Sequence, residues 1–180
     1  DEDCSGLADD SDAGVDSSTQ VVYYIDGDKD SFGDESDSGA SYCDDPSTAG
    51  DWYTTDHTDC DDGKSAINPS AREICDAADT DEDCSGDADD RDPGVDGTTK
   101  GWFYLDYDGD GYGDARSGSR YCDDPSNATV KYSSVATDCD DLDGDIHPGA
   151  IEICDAADLD EDCNGVADNN DSLAATGTKS

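Results

Sequence analysis

The hexapeptide Asp1-Glu2-Asp3-Cys4-Ser5-Gly6 returns as Asp81-Glu82-Asp83-Cys84-Ser85-Gly86 and again as Asp160-Glu161-Asp162-Cys163-Asn164-Gly165. Repetition at a long, nearly fixed interval constrains a fold more than local propensity does, because every copy must build the same supersecondary unit. The intervals are 80 and 79 residues, and the lost residue can be located. Asp26 to Asp34 match Asp106 to Asp114 at offset 80, whereas Cys43 matches Cys122 at offset 79. The deletion therefore lies in the Ser/Gly-rich stretch between them, as expected of a loop. The chain reads as a first repeat over 1–80 that starts in mid-motif, a second over 81–159, and a partial third with a polar tail over 160–180. The tail from Ser172 onward is expected to be flexible unless a partner orders it.

Each copy presents the same series: an aromatic run (Val21-Val22-Tyr23-Tyr24-Ile25, then Gly101-Trp102-Phe103-Tyr104-Leu105), an Asp-rich loop, Tyr-Cys-Asp-Asp-Pro, and two further acidic loops. The aromatic runs predict short strands. Only Ala71 to Ala78 and Ala150 to Ala157 are helix-friendly, and at most a turn or two is expected there. The fold class implied is mainly β or irregular: short strands and calcium-binding loops stapled by disulfides in two tandem repeats, with little helix.

Charge opposes such a fold. Fifty Asp and Glu stand against nine Lys and Arg, a formal charge of -41, and only 32% of residues are hydrophobic. Such a composition ordinarily leaves a chain disordered, because too little apolar surface offsets the entropy of ordering it. Nine cysteines at recurring intervals point the other way, to a small extracellular domain that substitutes disulfides for a core. Bound divalent cations are the physical remedy for the charge, and hard carboxylate oxygens are what Ca2+ selects. Several Ca2+ ions per chain are therefore expected. The charge also excludes nucleic acid and anionic membrane surfaces as partners, and no apolar run is long enough to span a membrane.

Three kinds of acidic loop carry the candidate ligands. In the first, Asp106, Asp108, Asp110 and Asp114 occupy positions 1, 3, 5 and 9 of an EF-hand-like loop, with Gly111 at the sharp turn and the Tyr112 carbonyl at position 7. Position 12 is Ser117, so the bidentate ligand must come from elsewhere in the fold. The counterpart in the first repeat is Asp26, Asp28, Asp30, Phe32 and Asp34, with Ser31 in place of the turn glycine and a tighter backbone expected. The second loop sets Asp141, Asp143, Asp145 and His147 ahead of Glu152 at position 12, after Asp138 and Asp140. In the first repeat that register keeps only Asp62 and Glu73, so either this site is weak or Asp59 and Asp61 take over. The third loop is Asp79, Asp81, Asp83 and Ser85 with Asp90 at position 12. It recurs as Asp158, Asp160, Asp162, Asn164 and Asn169, and in part as Asp1, Asp3 and Asp10.

Leaving Cys4 aside as unpaired, each copy supplies four cysteines, which allow three pairings. Short closure around the acidic segments favours Cys43–Cys60 with Cys75–Cys84, and Cys122–Cys139 with Cys154–Cys163. Zinc is disfavoured by the absence of CxxC spacing. His57 and His147 occupy non-equivalent positions, which excludes a repeated histidine site. No nucleophile has a base partner within a shared motif and no loop cradles phosphate, so an enzyme is not expected.

From Asp138-Cys139-Asp140-Asp141, through Ile146-His147-Pro148-Gly149-Ala150-Ile151-Glu152-Ile153-Cys154-Asp155, to Asp162-Cys163-Asn164-Gly165, the chain resembles the MopE-type metal-binding repeats of bacterial surface and secreted proteins. The segment Asp106 to Asp114 resembles the aromatic-plus-DxDGDGxGD element that accompanies them, and the general style is similar to thrombospondin type 3 repeats, which wrap chain around calcium. The resemblance carries a copper association, against which stand the lack of methionine and the unrepeated histidines. The first copy departs from the pattern, with Asn68-Pro69-Ser70-Ala71 where the second has His147-Pro148-Gly149-Ala150.

The function expected is a secreted or cell-surface calcium-binding subunit of an extracellular assembly, such as a filament, sheath or adhesin stalk. The partner expected is further copies of the chain in a homo-oligomer or filament; a soluble protein that scavenges or buffers calcium or copper is the alternative. Sequons at Asn127 and Asn170 permit glycans.

Overall fold

The computed structural model describes residues 6, 8–154 and 156–167. Asp1, Asp3, Cys4, Asn169, the sequon at Asn170 and the polar tail lie outside them. The chain divides into two compact units, Asp1–Asp96 and Gly97–Ser180. Their boundary falls later than the end of the first sequence period because the third acidic loop folds back on its own unit. Asn68 N donates to Glu82 O at 2.9 Å, and Asp96 N donates to Glu73 O at 2.8 Å.

Each unit is framed by one three-stranded antiparallel sheet with the strand made from the aromatic run at its centre. In the first unit β1 (Val21–Ile25) lies between β2 (Ala40–Tyr42) and β3 (Tyr53–Thr54). Its first half pairs with β2 (Val21 with Tyr42, Tyr23 with Ala40) and its second half with β3 (Tyr24 with Thr54, Ile25 with Tyr53). The second unit repeats this with β4 (Gly101–Asp106) between β5 (Ser119–Tyr121) and β6 (Lys131–Ser133). Aromatic residues cross each sheet in a row, Tyr23–Tyr42–Tyr53 and Phe103–Tyr121–Tyr132, with edge-on ring contacts of 5.7 to 6.3 Å. Such cross-strand pairs are what hold sheets this small. The residue deleted between the repeats falls between β1 and β2, in a connection outside the pairing, so the register survives its loss.

Among the described residues the helical elements are three 3-10 turns, Asp9–Ser11, Ser17–Thr19 and Asp89–Arg91. Ala71 to Ala78 stays out of helix because Asp76 ties its own turn, its Oδ1 accepting from the amides of Ala78 (2.9 Å) and Thr80 (3.1 Å). The interior is unusual. Among the described residues the buried hydrophobic side chains are Ile67, Ala88 and Ile146, whereas ten Asp and Glu are buried, with Asp59, Glu73 and Glu152 the most enclosed.

The cysteine pairings correct the expectation from short loop closure. Cys60 is bonded to Cys84 and Cys139 to Cys163, each across a sequence separation of 24. Cys60 therefore does not pair with Cys43, nor Cys84 with Cys75, and the same holds for Cys139 with Cys122 and Cys163 with Cys154. The physical reason is packing: the Asp59 segment lies alongside the third loop, which puts Cys60 Sγ 3.8 Å from the carbonyl of Asp81. Cys75 and Cys122 are also disulfide-bonded, while Cys43 and Cys154 carry free thiols.

Candidate metal centre

β1 ends by delivering Asp26 into a loop that its carboxylate organises. Asp26 Oδ1 accepts from the amides of Lys29 (2.6 Å) and Asp30 (3.2 Å), and Oδ2 accepts from Ser31 (3.1 Å). Asp30 Oδ1 takes the Phe32 amide at 2.9 Å. Asp106 does the same at the end of β4, accepting from Gly109 (2.7 Å) and Gly111 (3.1 Å), while Asp110 takes Tyr112 (2.8 Å). With the backbone polar groups satisfied from one side, the remaining carboxylate oxygens are left pointing inward.

A second segment completes the cluster. The loop docks on Asp56 to Asp62 through Gly33 N to Asp56 O (3.0 Å), Asp59 N to Gly33 O (3.0 Å) and Glu35 N to Asp59 O (2.9 Å). Asp62 Oδ1 accepts from Gly27 N at 2.7 Å. Carboxylate oxygens of Asp26, Asp28 and Asp30 lie within 4.8 Å of one another, as do those of Asp28, Asp59 and Asp62. In the second unit Asp114 bridges to Asp138, and Asp141 Oδ1 accepts from Tyr107 N at 2.8 Å, so Asp138 and Asp141 take the places of Asp59 and Asp62.

The decisive feature is what these oxygens lack. Both Oδ atoms of Asp28, and Oδ2 of Asp30, Asp59, Asp108, Asp110 and Asp138, are buried without a hydrogen-bond partner. Unpaired buried carboxylate oxygens are among the costliest groups a fold can hold, and a cation is the partner that relieves them. Burial, with the charges of Asp30 and Asp62, pushes the Asp28 carboxyl above its ordinary range. Burial, with Asp30, Asp28 and Asp62, pushes Asp59 up to about 6. Asp62, Asp108, Asp138 and Asp141 are raised by the same two causes, burial first. Asp34 and Asp114 behave differently: each turns one oxygen to the following turn, Asp34 to Ser36 N and Oγ, Asp114 to Arg116 N and Nε, and both are held below the usual carboxylate range.

A second cluster forms in the third loop. Glu73, Asp81 and Asp83 bring carboxylate oxygens within 4.8 Å of one another. Glu73 is only 1% exposed, and its two oxygens accept from Asp89 N (2.8 Å) and Glu82 N (2.9 Å). Glu82 returns the bond by accepting from Ile74 N at 3.0 Å. Glu152 and Glu161 repeat the exchange, with Glu161 N on Glu152 and Ile153 N on Glu161, both at 3.0 Å.

Hydrogen bonds also fix this loop's register. Asp81 accepts from Ser85 N (3.0 Å) and Gly86 N (2.8 Å), and Asp160 accepts from Asn164 N (3.0 Å) and Gly165 N (2.7 Å), the pattern that Asp26 and Asp106 show as first residues of their loops. Asp81, Asp83 and Ser85 thus stand at positions 1, 3 and 5, with Gly86 (φ 94°) at the turn. Position 12 becomes Asp92, which is 5% exposed and accepts from Ser85 Oγ at 2.6 Å and from Gly94 N. Spacing of acids in the sequence places the start of this loop at Asp79 and its end at Asp90, both of which are exposed. The glycine at position 6 was the signal that would have set the register from sequence.

Several other candidates make different contacts. Asp61 pairs with Lys64 at the surface, Asp140 and Asp158 are exposed, and in exposed Asp143 the Oδ1 accepts from the amide of Asp145 at 3.3 Å. The second loop therefore does not close on itself: Asp141 joins the Asp106 cluster, and Glu152 joins the third loop. His147 lies flat on the Tyr112 ring at 5.2 Å, with Nδ1 3.2 Å from the Pro148 carbonyl, and His57 is stacked on Tyr24 at 4.3 Å. Asp10 accepts from Cys43 N at 2.7 Å and Gln20 Nε2 at 3.3 Å. Asn127 is exposed on a turn, where its Oδ1 accepts from Thr129 N at 2.9 Å.

The family model for Cu-binding MopE, described as a putative metal-binding motif, matches residues 1–10, 59–90 and 138–169. Three segments of the chain carry this motif. Comparison with curated proteins and with solved structures gave no match. The matched segment 59–90 contains Glu73, Asp81, Asp83 and Ser85 of the third loop but not Asp92, and the motif contributes only Asp59 and Asp62, or Asp138 and Asp141, to the other cluster. The Asp26 and Asp106 loops lie outside it. Among the described residues no helix is long and apolar enough to cross a membrane.

Proposed function

We propose that the chain binds several Ca2+ ions in its acidic clusters and serves as a structural subunit of an extracellular assembly, without catalytic activity. The observation that supports this reading is the set of buried, unpartnered carboxylate oxygens arranged alike in both units. Five carboxylates converge in each two-segment cluster (Asp26, Asp28, Asp30, Asp59 and Asp62; Asp106, Asp108, Asp110, Asp138 and Asp141). Ca2+ takes about 6–8 oxygens in flexible geometry, whereas Mg2+ retains water and demands a near-octahedral site. The copper in the matched family's name would call for imidazole or sulfur donors. His57 and His147 are engaged in ring stacking, and the clusters are built of oxygen alone. Disulfides accord with an oxidising, extracellular setting.

Calorimetric titration of the metal-stripped protein with Ca2+, Mg2+ and Cu2+ separates the readings. Several Ca2+ per chain, bound more tightly than Mg2+, is the expected result. One tightly held copper with no Ca2+ heat would favour a copper scavenger and overturn the calcium assignment. Assemblies unchanged by EGTA would remove the structural role.

A further inference from the structure

The cysteines fall into two classes. Those of the first class, Cys60 with Cys84 and Cys139 with Cys163, are satisfied within each unit. Those of the second are equivalent in sequence but not in state: Cys75 is bonded where its equivalent Cys154 is a free thiol, and Cys122 is bonded where its equivalent Cys43 is free. One thiol of each kind is therefore free, Cys43 in the first unit and Cys154 in the second, and both are partly accessible.

We propose that Cys43 of one copy and Cys154 of a second copy form a disulfide that joins chains head to tail. This rests on the reading of the chain as an assembling subunit and names its partner and its linkage. The surroundings of the two thiols favour a protein partner over a small molecule. Cys154 follows Ile151 and Ile153, which are 71% and 56% exposed, and Leu159 nearby is 41% exposed. The equivalents of Ile151 and Leu159 in the first repeat are the polar Arg72 and Thr80. Apolar side chains left open beside a free thiol are the mark of a surface that another surface covers. Cys43, for its part, lines a cavity of about 430 Å³ whose wall combines Ala8, Val15 and Thr19 with the acids Asp9, Asp12 and Asp16. That cavity is large enough to accept an isoleucine side chain presented with the incoming thiol.

The bond forms by exchange with a low-molecular-weight disulfide such as oxidised glutathione. One cysteine takes up half of that disulfide and releases its other half as a thiol; the second cysteine displaces the remaining half. Two cysteine thiols and one small disulfide thus become one protein disulfide and two small thiols.

The test is incubation of the full chain with oxidised glutathione and saturating CaCl2, read by non-reducing gel and by mass spectrometry of linked peptides. A ladder of multimers that collapses with dithiothreitol, with a Cys43–Cys154 linked peptide, is expected. Cys43→Ser and Cys154→Ser each abolish the ladder, yet mixing the two variants gives one heterodimer at least tenfold more abundant than either homodimer. An intrachain Cys43–Cys154 bond, homodimers as abundant as the heterodimer, or no cross-link at all would each overturn the proposal. Calcium titration of the doubly substituted protein reads the metal assignment separately, since neither serine lies in an acidic cluster.

Discussion

Replacing Asp59 by Asn should stabilise the first unit without metal and destabilise it with Ca2+. Asp59 has 0% exposure; its Oδ1 accepts from Asp61 N at 2.8 Å and its Oδ2 has no partner. Its carboxyl is raised from 3.8 to about 6. The folded state thus binds a proton more tightly than the unfolded state. The stabilisation this brings is complete below about pH 4 and lost as pH rises through about 6. At pH 7.5 the ionised group costs about 1 to 3 kcal/mol, the upper figure following from about 1.4 kcal/mol per pH unit and the lower allowing for water around so thin a cover. Asn keeps the bond to Asp61 and removes the charge, so the metal-free variant gains roughly that amount. In Ca2+ the same change deletes a ligand; a hundredfold loss of affinity removes about 2.7 kcal/mol of binding stabilisation. Urea denaturation at pH 7.5, in EGTA and in millimolar CaCl2, measures both arms. Trp52 is a suitable reporter in a Trp102→Phe background, because its carbonyl accepts from Asp26 N at 3.0 Å and Lys29 Nζ lies 5.3 Å from its ring. Destabilisation in both conditions would show Asp59 to be a structural acceptor and refute the ligand assignment.

Ser31 has φ 86°, the left-handed region that its equivalent Gly111 occupies at 98°. Ser31→Gly should relieve about 1 kcal/mol and tighten Ca2+ at the first loop roughly fivefold by calorimetry. At Gly33 an added methyl would stand 2.8 Å from the Ile25 carbonyl and 3.0 Å from that of Asp56. Gly33→Ala should therefore cost about 1–3 kcal/mol and loosen the docking of loop on segment, whereas Gly50→Ala, with open space around it, should be silent in the same urea titration. Asp92→Asn should weaken Ca2+ at the third loop about tenfold and Asp90→Asn should leave it unchanged; equal effects would reject the register read from the hydrogen bonds. Opening Cys60–Cys84 with paired serines releases a loop of 24 residues and should cost about 3 kcal/mol in denaturation at saturating Ca2+.

The parts of the site governed by neighbours in sequence were legible from it. Alternating Asp with a turn glycine announces the Asp106 loop, and β-branched and aromatic runs announce β1 and β4. Ser117 at position 12 leaves the Asp106 loop without a twelfth-position carboxylate of its own. Which residues supply it depended on docking that no local pattern encodes: Gly33 and Gly113 let the loop lie against backbone from Asp56 or Val135, and only that contact selects Asp59 and Asp138. The cysteines failed for the same reason, since shortness of loop is a poor guide where two acidic segments run side by side. The alternation of acids from Asp79 fits two registers equally well, and only Gly86 at the turn distinguishes them.

The Cys60–Cys84 bond also decides how the two clusters in a unit relate. Asp59 of the first cluster adjoins Cys60, Asp83 of the second adjoins Cys84, and the bonded residues are 5.6 Å apart at Cα. The Cys60 amide donates to Cys84 Sγ at 3.2 Å, so the contact is held by backbone as well as by the covalent link. An ion that fixes Asp59 therefore restricts the third loop, and one that fixes Asp83 restricts the docking segment. With acids outnumbering apolar groups in the interior, neither cluster has a hydrophobic core to order it independently. If Ca2+ occupies both clusters as proposed, each ion bound lowers the ordering cost left for the other, and calorimetric titration should show positive cooperativity that is lost when Cys60 and Cys84 are both replaced by serine.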